Sequence, residues 1–273
     1  MQRRHQATRF VPKLSRVRVE VLGLRVGAPL GAACPCYAVN DGSTLLLLDF
    51  GPGALERAWT RGLLGEIDAI VISHMHLDHM LDLLPLSGEV TRLALSRRWP
   101  AARAPKLYVP RGRGPATLAA LATAIGSNAD RFGEAFDVRE YDDGDRVEVG
   151  RLRLSFVRTA HPEPCYAPRI TDGRSTLVYG ADGAFSDELV AHASGADLLL
   201  LEATYLDDGP DLRRHGHLTG EQAAAVAQRA GVRHLVLTHL GPWPDHNEEN
   251  LRRARARFAG HVEQAHEHAV YTT

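Results

Sequence analysis

Lysine is almost missing from this chain: Lys13 and Lys106 stand beside 30 arginines in 273 residues. Cysteine is scarce as well. Cys34, Cys36 and Cys165 form an odd set, which fits reduced thiols better than a disulfide framework. No apolar run approaches the roughly 20 residues a membrane-crossing helix needs, so no membrane role is expected. The N-terminal MQRRHQATRFVPKLSR is basic but lacks the apolar stretch of a secretory signal. These shortages predict a cytoplasmic protein with a basic tail over residues 1–15 and a single folded domain over 16–273. Excess charge of one sign is missing too, since the formal net charge is −1. Residues 1–19 hold six basic side chains and no acid, leaving 26 basic against 33 acidic elsewhere, a formal −7. Binders of long nucleic acids usually have a basic body, so nucleic acid is not the favoured partner. Residues 90–129 run the other way: Arg92, Arg97, Arg98, Arg103, Lys106, Arg111 and Arg113 occur with no Asp or Glu. They read first as a solvated face.

What is present is a regular alternation of short strands and helices. RVRVEVLGL (16–24) alternates apolar and polar residues like a half-buried strand. CYAVN and TLLLLDFGPG flank an Asp-Gly turn, a strong hairpin signal. A helix near 54–61, a strand at 67–73 and a helix near 78–96 follow. A second block begins near 106 with KLYV, a helix over 115–125, RVEVG and RLRLSFVRTA. APRITD and STLVYGAD form another hairpin candidate. DLLLLEAT, a helix over 219–230, HLVLTH and a helix over 246–258 complete the chain. Strands in both halves, each set followed by helices, predict two sheets packed face to face with helices outside.

The strands deliver ionisable residues as they end. AIVIS leads to His74, LRLSFVRTA to His161, TLVYGA to Asp182, LLLL to Glu202 and HLVLT to His239. The densest group is ISHMHLDH, with three histidines and an aspartate in six residues. His74 and His76, two apart in an extended segment, project to one side and can share a metal with His161. Asp78 and His79 open the next helix and can serve a second metal with His239. Asp182, with two carboxylate oxygens, can bridge both. Seven ligands leave coordination positions open, as a catalytic site requires. Two ions about 3.5–4 Å apart can ionise a shared water near neutrality and clamp the oxygens of a substrate. Mixed imidazole and carboxylate ligation suits Zn²⁺, with Mn²⁺ or Fe²⁺ as alternatives.

The pattern H-x-H-x-D-H at 74–79, followed by His161, Asp182 and His239, resembles the metallo-β-lactamase superfamily over essentially the whole chain. That resemblance implies an α/β fold, an αββα sandwich of two mixed β-sheets with the metals at one edge. It also implies that Asp49 in LLLLDFGPG supports the ligands from behind. An aspartate at 182, where the lactamases carry cysteine, points to the nuclease, phosphodiesterase and lactonase branches. LLLLEATY followed by HGHLTGEQAA resembles the ribonuclease Z-like branch. There the histidine matching His217 protonates the leaving oxygen or stabilises phosphoryl charge, and the glutamate matching Glu202 orients it. Asp78 counts among the catalytic residues as well as the ligands. Thr219 and Gln222 fit a capping box that starts the following helix. His215 lacks the precedent of His217 and reads as non-functional.

Ribonuclease Z proteins that process tRNA commonly carry a long Gly/Pro-rich arm; the bacterial form has it between the ligands matching His161 and Asp182. Here those positions are 21 apart and filled by one hairpin. THLGPW and the compact length are closer to the atypical class II cyclic-nucleotide phosphodiesterases. The expected function is therefore a dinuclear phosphodiesterase acting by metal-bound hydroxide on a small phosphodiester such as cAMP. The alternatives are a tRNA 3′-end processing endonuclease and a lactonase or other ester hydrolase. The expected partner is the small substrate, and a homodimer is compatible with the sequence. Trp243 reads as packing, with stacking on a base as the second reading.

Overall fold

A computed structural model describes residues 16–27, 31–95, 104–207, 209 and 215–273. The basic tail expected over 1–15 lies outside the described residues, as do Arg97, Arg98 and Arg103. Among the described residues the strands are β1 (Arg18–Gly23), β2 (Cys36–Asn40), β3 (Leu45–Leu48), β4 (Ala69–Val71), β5 (Lys106–Pro110), β6 (Asp137–Tyr141) and β7 (Arg146–Val149). They continue as β8 (Leu152–Arg158), β9 (Tyr166–Thr171), β10 (Thr176–Tyr179), β11 (Leu198–Glu202), β12 (His234–Thr238), β13 (His261–Gln264) and β14 (Val270–Thr272). The helices are α1 (Ala54–Thr60), α2 (Leu77–Met80), α3 (Leu83–Leu95), α4 (Arg113–Ala124), α5 (Arg131–Ala135), α6 (Asp187–His192), α7 (Gly220–Ala230) and α8 (Pro244–Arg257). No helix among them is long and apolar enough to cross a membrane.

The strands form two seven-stranded sheets, ordered β14-β1-β2-β3-β4-β5-β6 and β13-β12-β11-β10-β9-β8-β7. Both are mixed. The runs β3 to β6 and β10 to β13 are parallel and the remaining pairs antiparallel. This is the expected sandwich, and its layers follow from side-chain alternation. Leu46 and Leu48 join the core shared with the second sheet, whereas Leu45 and Leu47 join Ala54, Leu83, Leu86 and Phe132 beneath α1, α3 and α5. The LLLL of β11 is buried throughout, as in a parallel strand covered on both faces.

Two details depart from the sequence reading. The helix expected near 78–96 is broken into α2 and α3, because Pro85 has no N–H for the carbonyl of Leu81 and can sit only in the first turn of a new helix. Elements β6, α5, α6, β13 and β14 were not anticipated. Strand β6 (DVREY) is largely exposed at a sheet edge and so carries little apolar signal, while β14 is three residues long.

One consequence of this topology positions the site. In a parallel run all C-terminal strand ends lie on one side. Strand β8 is antiparallel to β9, and β9 to β10, so β8 points the same way as β10. The residues after β3, β4, β8, β10, β11 and β12 therefore share one edge, where open α/β sheets place their ligands.

Candidate metal centre

That edge receives His74, His76, His161 and Asp182 as one group, and Asp78, His79 and His239 as a second. His74 and His79 are fully buried, and His161, Asp182 and His239 nearly so. In the first group, His76 Nδ1 lies 3.0 Å from His74 Nε2 and 3.3 Å from His161 Nε2. The opposite ring nitrogens explain these approaches. His161 Nδ1–H donates to the carbonyl of Gly216 at 3.0 Å. His74 Nδ1–H donates to Ser73 Oγ at 3.1 Å, and that hydroxyl donates onward to Asp49 Oδ2 at 3.0 Å. Both Nε2 atoms are thus left as lone pairs facing His76 Nδ1. Ligands about 2.0–2.1 Å from a tetrahedral zinc lie about 3.3 Å apart, so this spacing fits such an ion.

The second group is tuned in the same manner. His79 Nδ1–H donates to Asp49 Oδ2 at 2.8 Å, and His239 Nδ1–H to Thr204 Oγ1 at 2.8 Å. Their Nε2 atoms then meet at 3.2 Å, with Asp78 Oδ2 at 3.4 Å from His239 and 3.7 Å from His79. Asp182 lies between the groups. Its Oδ2 is 3.8 Å from His74 Nε2 and 3.4 Å from His79 Nε2. Its Oδ1 is buried and accepts no hydrogen bond among the described residues. An orphaned carboxylate oxygen among imidazole lone pairs is costly unless a cation satisfies it. The donor set therefore fits divalent metal.

The electrostatics of the first group agree. Burial, and then the neighbouring histidines, hold His74 and His76 below the ordinary imidazole range; burial also lowers His161. Neutral imidazoles are what a metal requires. Burial opposes ionisation of Asp182, yet His239 and His79 hold it well below the usual carboxylate range. Burial likewise works against charge on Asp78, but the neighbouring His239 and His79 bring it down to about 2. His79 is raised despite burial, because Asp182 and Asp49 flank it. Backbone strain concentrates here too. Asp49, Ala181 and His239 have φ of 57°, 52° and 49°, in the left-handed region that side chains disfavour. Strained residues of this kind cost on the order of 1–3 kcal/mol each and cluster at functional sites.

Glu202 and His217 form a third feature. Both Glu202 oxygens lie 3.1 Å from His217 Nδ1, and Oε1 also accepts the N–H of Gly183 at 2.9 Å. Burial disfavours charge on His217, but the Glu202 charge and hydrogen bond outweigh it, and the imidazole is pushed up to about 9. Nδ1 is also 3.8 Å from Asp182 Oδ2. The entry loop is fixed by the expected capping box: Gln222 N–H donates to Thr219 Oγ1 and Thr219 N–H to Gln222 Oε1. His215 is exposed.

Several supporting residues were not singled out from sequence. Thr204 accepts from His239 and donates to Glu202 Oε2 at 2.6 Å, joining a proposed ligand to the His217 partner. Tyr179 Oη donates to Asp49 Oδ2 at 2.7 Å, giving that oxygen a third donor beside His79 and Ser73. Buried Asn250 donates to the carbonyls of Ala203 and Tyr205 and accepts from Gly220, tying the loop after β11 to the start of α7. Thr204 stood within the quoted Glu-Ala-Thr, so position alone marked it; Tyr179 and Asn250 carried no local signal. The cysteines supply no atom to the ligand groups. Trp243 is half exposed on the loop after His239, where its ring packs against Gly241. Arg113 reaches the loop after His161 through Glu163 (3.0 and 2.8 Å), and Arg111 and Arg92 are also held by carboxylates.

Gly51 packs directly against the ligand-bearing turn. A Cβ there would lie 1.7 Å from the carbonyl oxygen of Asp78 and 2.6 Å from Cys34 Cβ. Gly51→Ala should therefore displace the 76–79 turn. The expected result is about 1–3 kcal/mol of lost stability, the usual range for overpacking, together with weaker metal retention. Thermal unfolding and elemental analysis of the purified variant check both, and wild-type metal content with a wild-type midpoint would refute the prediction.

A family model described as the beta-lactamase superfamily domain matches residues 44–240. Uncharacterized protein ML1173 of Mycobacterium leprae (strain TN) is 35% identical over 254 residues, covering 90% of this chain and 85% of its own length. The probable metallo-hydrolase YhfI of Bacillus subtilis (strain 168) is 31% identical over 257 residues, 90% of this chain and 96% of its own. Its crystal structure, described as a metallo-beta-lactamase fold protein, superposes with a TM-score of 0.81 at 26% identity, covering 94% of this chain and 100% of that one. A ribonuclease Z of Mycolicibacterium paratuberculosis (strain ATCC BAA-968 / K-10) is 31% identical over 273 residues, 90% of this chain and 95% of its own.

Proposed function

Because this chain belongs to the metallo-β-lactamase superfamily and is a metallo-hydrolase, we propose that it is a dinuclear phosphodiesterase acting on a small phosphodiester, with cAMP the leading candidate. The observation that carries this reading is the Glu202–His217 pair beside the two ligand groups. His74, His76 and His161 would hold one divalent ion, Asp78, His79 and His239 the other, and Asp182 would bridge them. Zn²⁺ suits this donor set, with Mn²⁺ or Fe²⁺ as alternatives. Bound there, the ions would supply a water that ionises near neutrality and offset phosphoryl charge.

The protein's own part is proton placement. Glu202 holds the Nδ1 proton of His217, so the imidazole stays charged and Nε2–H is available as a donor. Nε2 has no hydrogen-bond partner among the described residues. His217 would give that proton to the leaving oxygen, and its charge would stabilise the phosphoryl oxygens before transfer. Thr204 links Glu202 to His239, which fixes the donor relative to the proposed ligands. Residues 16–273 would form one hydrolase domain, because both sheets contribute side chains to the centre. The buried thiols of Cys36 and Cys165 support a reducing, cytoplasmic setting.

Ribonuclease Z-like RNA cleavage is the second reading, favoured by the His217–Glu202 pair and by the named relative. The short β9–β10 connection supports the small substrate: Thr171 pairs with Thr176 across a four-residue turn, leaving no arm between His161 and Asp182. The arginines of the 90–129 segment that are described, Arg92, Arg111 and Arg113, are engaged by acids rather than arrayed for a phosphate backbone. We expect measurable cAMP hydrolysis, weak cleavage of pre-tRNA and a shallow dependence on salt. Multi-phosphate RNA binding would give a log–log slope near −0.7 to −0.9 per phosphate contacted. A pre-tRNA kcat/KM far above that for any cyclic nucleotide, with a steep slope, would transfer the assignment to RNA processing.

A further inference from the structure

Far from the strand ends that carry the centre, the opposite end of the second sheet holds another set of donors. His234 opens β12, and His239 follows the other end of the same strand. At about 3.3 Å per residue the two stand roughly 16 Å apart, too far to share an ion. In the parallel register His234 lies directly opposite His261 of β13. Glu263 is two residues beyond His261, hence on the same face. The two imidazoles stack at 4.3 Å with an interplanar angle of 11°. Their Nε2 atoms both face Glu263 Oε1, at 2.8 Å from His234 and 4.0 Å from His261. The 2.8 Å approach is not aligned for a hydrogen bond, and His234 Nε2 is a buried nitrogen without one. The ligating atoms of all three side chains lie within 4.8 Å of one another.

We propose that His234, His261 and Glu263 form a peripheral site for a divalent transition-metal ion, separate from the hydrolytic centre. Two imidazoles and one carboxylate select an ion of the nickel, copper and zinc class over magnesium or calcium, which prefer oxygen. The exposed side of His261 leaves room for water to complete the coordination. The location gives the ion a structural role. Strand β13 is an edge strand, and the His234 ring also meets Tyr271 of β14, the edge strand of the other sheet, at 5.8 Å. An ion here would tie β13 to β12 at the margin where the two sheets approach.

The test compares the full-length, tag-free protein with His261→Ala and Glu263→Gln. His261 is mostly exposed, so its truncation should not disturb folding, and neither variant touches the hydrolytic centre. After dialysis against micromolar Zn²⁺, the wild type should retain one more ion per chain than His261→Ala, measured by elemental analysis. Saturating Zn²⁺ should raise the wild-type unfolding midpoint by several degrees more than that of His261→Ala, since binding to the folded state alone stabilises it. Glu263→Gln should bind the extra ion more weakly, and turnover should be unchanged in both. The readout is a difference between proteins, so it stands whatever number of ions the catalytic centre holds. Equal ion counts in the wild type and His261→Ala would overturn the site. Wild-type affinity in Glu263→Gln would remove the carboxylate from it and overturn the proposal as stated.

Discussion

Asp182→Ala should leave no measurable hydrolysis of bis-p-nitrophenyl phosphate or cAMP, and fewer than two tightly held ions. This carboxylate stands between the two ligand groups, 3.8 Å from His74 Nε2 and 3.4 Å from His79 Nε2. Among the described residues it is the acidic side chain that lies within 4 Å of a ligand nitrogen in each group, and His239 and His79 keep it ionised against burial. Supporting hydrogen bonds around metal ligands are typically worth 10–100-fold when lost. A ligand shared by two ions should cost far more, because both positions fail together. Asp182→Asn separates charge from shape: it keeps the volume and one oxygen but should still lose metal. His76→Ala should behave similarly through the first group alone. The unfolding midpoint of each metal-free variant guards against a simple loss of fold. If Asp182→Ala keeps two ions and more than a tenth of wild-type kcat/KM, the shared-ligand assignment is wrong.

His217→Ala should keep its metal yet lose on the order of 10²–10⁴ in rate, the span of general acid–base assistance. The loss should shrink on substrates leaving as p-nitrophenolate, which needs little protonation, and grow on alkoxide leaving groups such as the ribose oxygen of cAMP. An equal loss on both would remove the proton-donor role and leave charge stabilisation. The pH profile gives a second readout. His217 acts in its protonated form and is pushed up to about 9; neighbouring cations would pull that value down and Glu202 opposes them. Activity should therefore fall as pH rises through a limb at or below about 9, and His217→Ala should lack that limb. Glu202 is a positioning residue, so Glu202→Gln should retain the limb but move it to lower pH. A limb left in place by Glu202→Gln would show that the carboxylate does not set the proton affinity of His217.

Much of this was legible in local sequence, and the particular residues explain why. Leu45 to Leu48 alternate between two cores, and the LLLL of β11 is buried on both faces, so hydrophobic pattern reports strand type directly. His74, His76, Asp78 and His79 are neighbours in the chain, so their clustering needs no fold to be seen. Thr219 and Gln222 cap α7 through contacts three residues apart. Edge strands were harder. Strand β6 is mostly exposed and charged, and β13 and β14 are three or four residues long, so each lacks the apolar run by which a strand is read.

The chain by itself therefore determined which side chains end the strands and the class of chemistry they suit, because those features repeat at periods of two to four residues. The tertiary structure alone decided which atom of each side chain is available. His161 turns Nε2 inward because Gly216, 55 residues away, takes its Nδ1 proton. His79 does so because Asp49, 30 residues away, takes its own. Asp49 is held in turn by Tyr179, 130 residues distant, and Thr204 joins His239 to Glu202. The stacking of His234 on His261 likewise exists only in the β12–β13 register. Hydrogen-bond direction is set by partners that meet only on folding, and a local pattern carries no record of them.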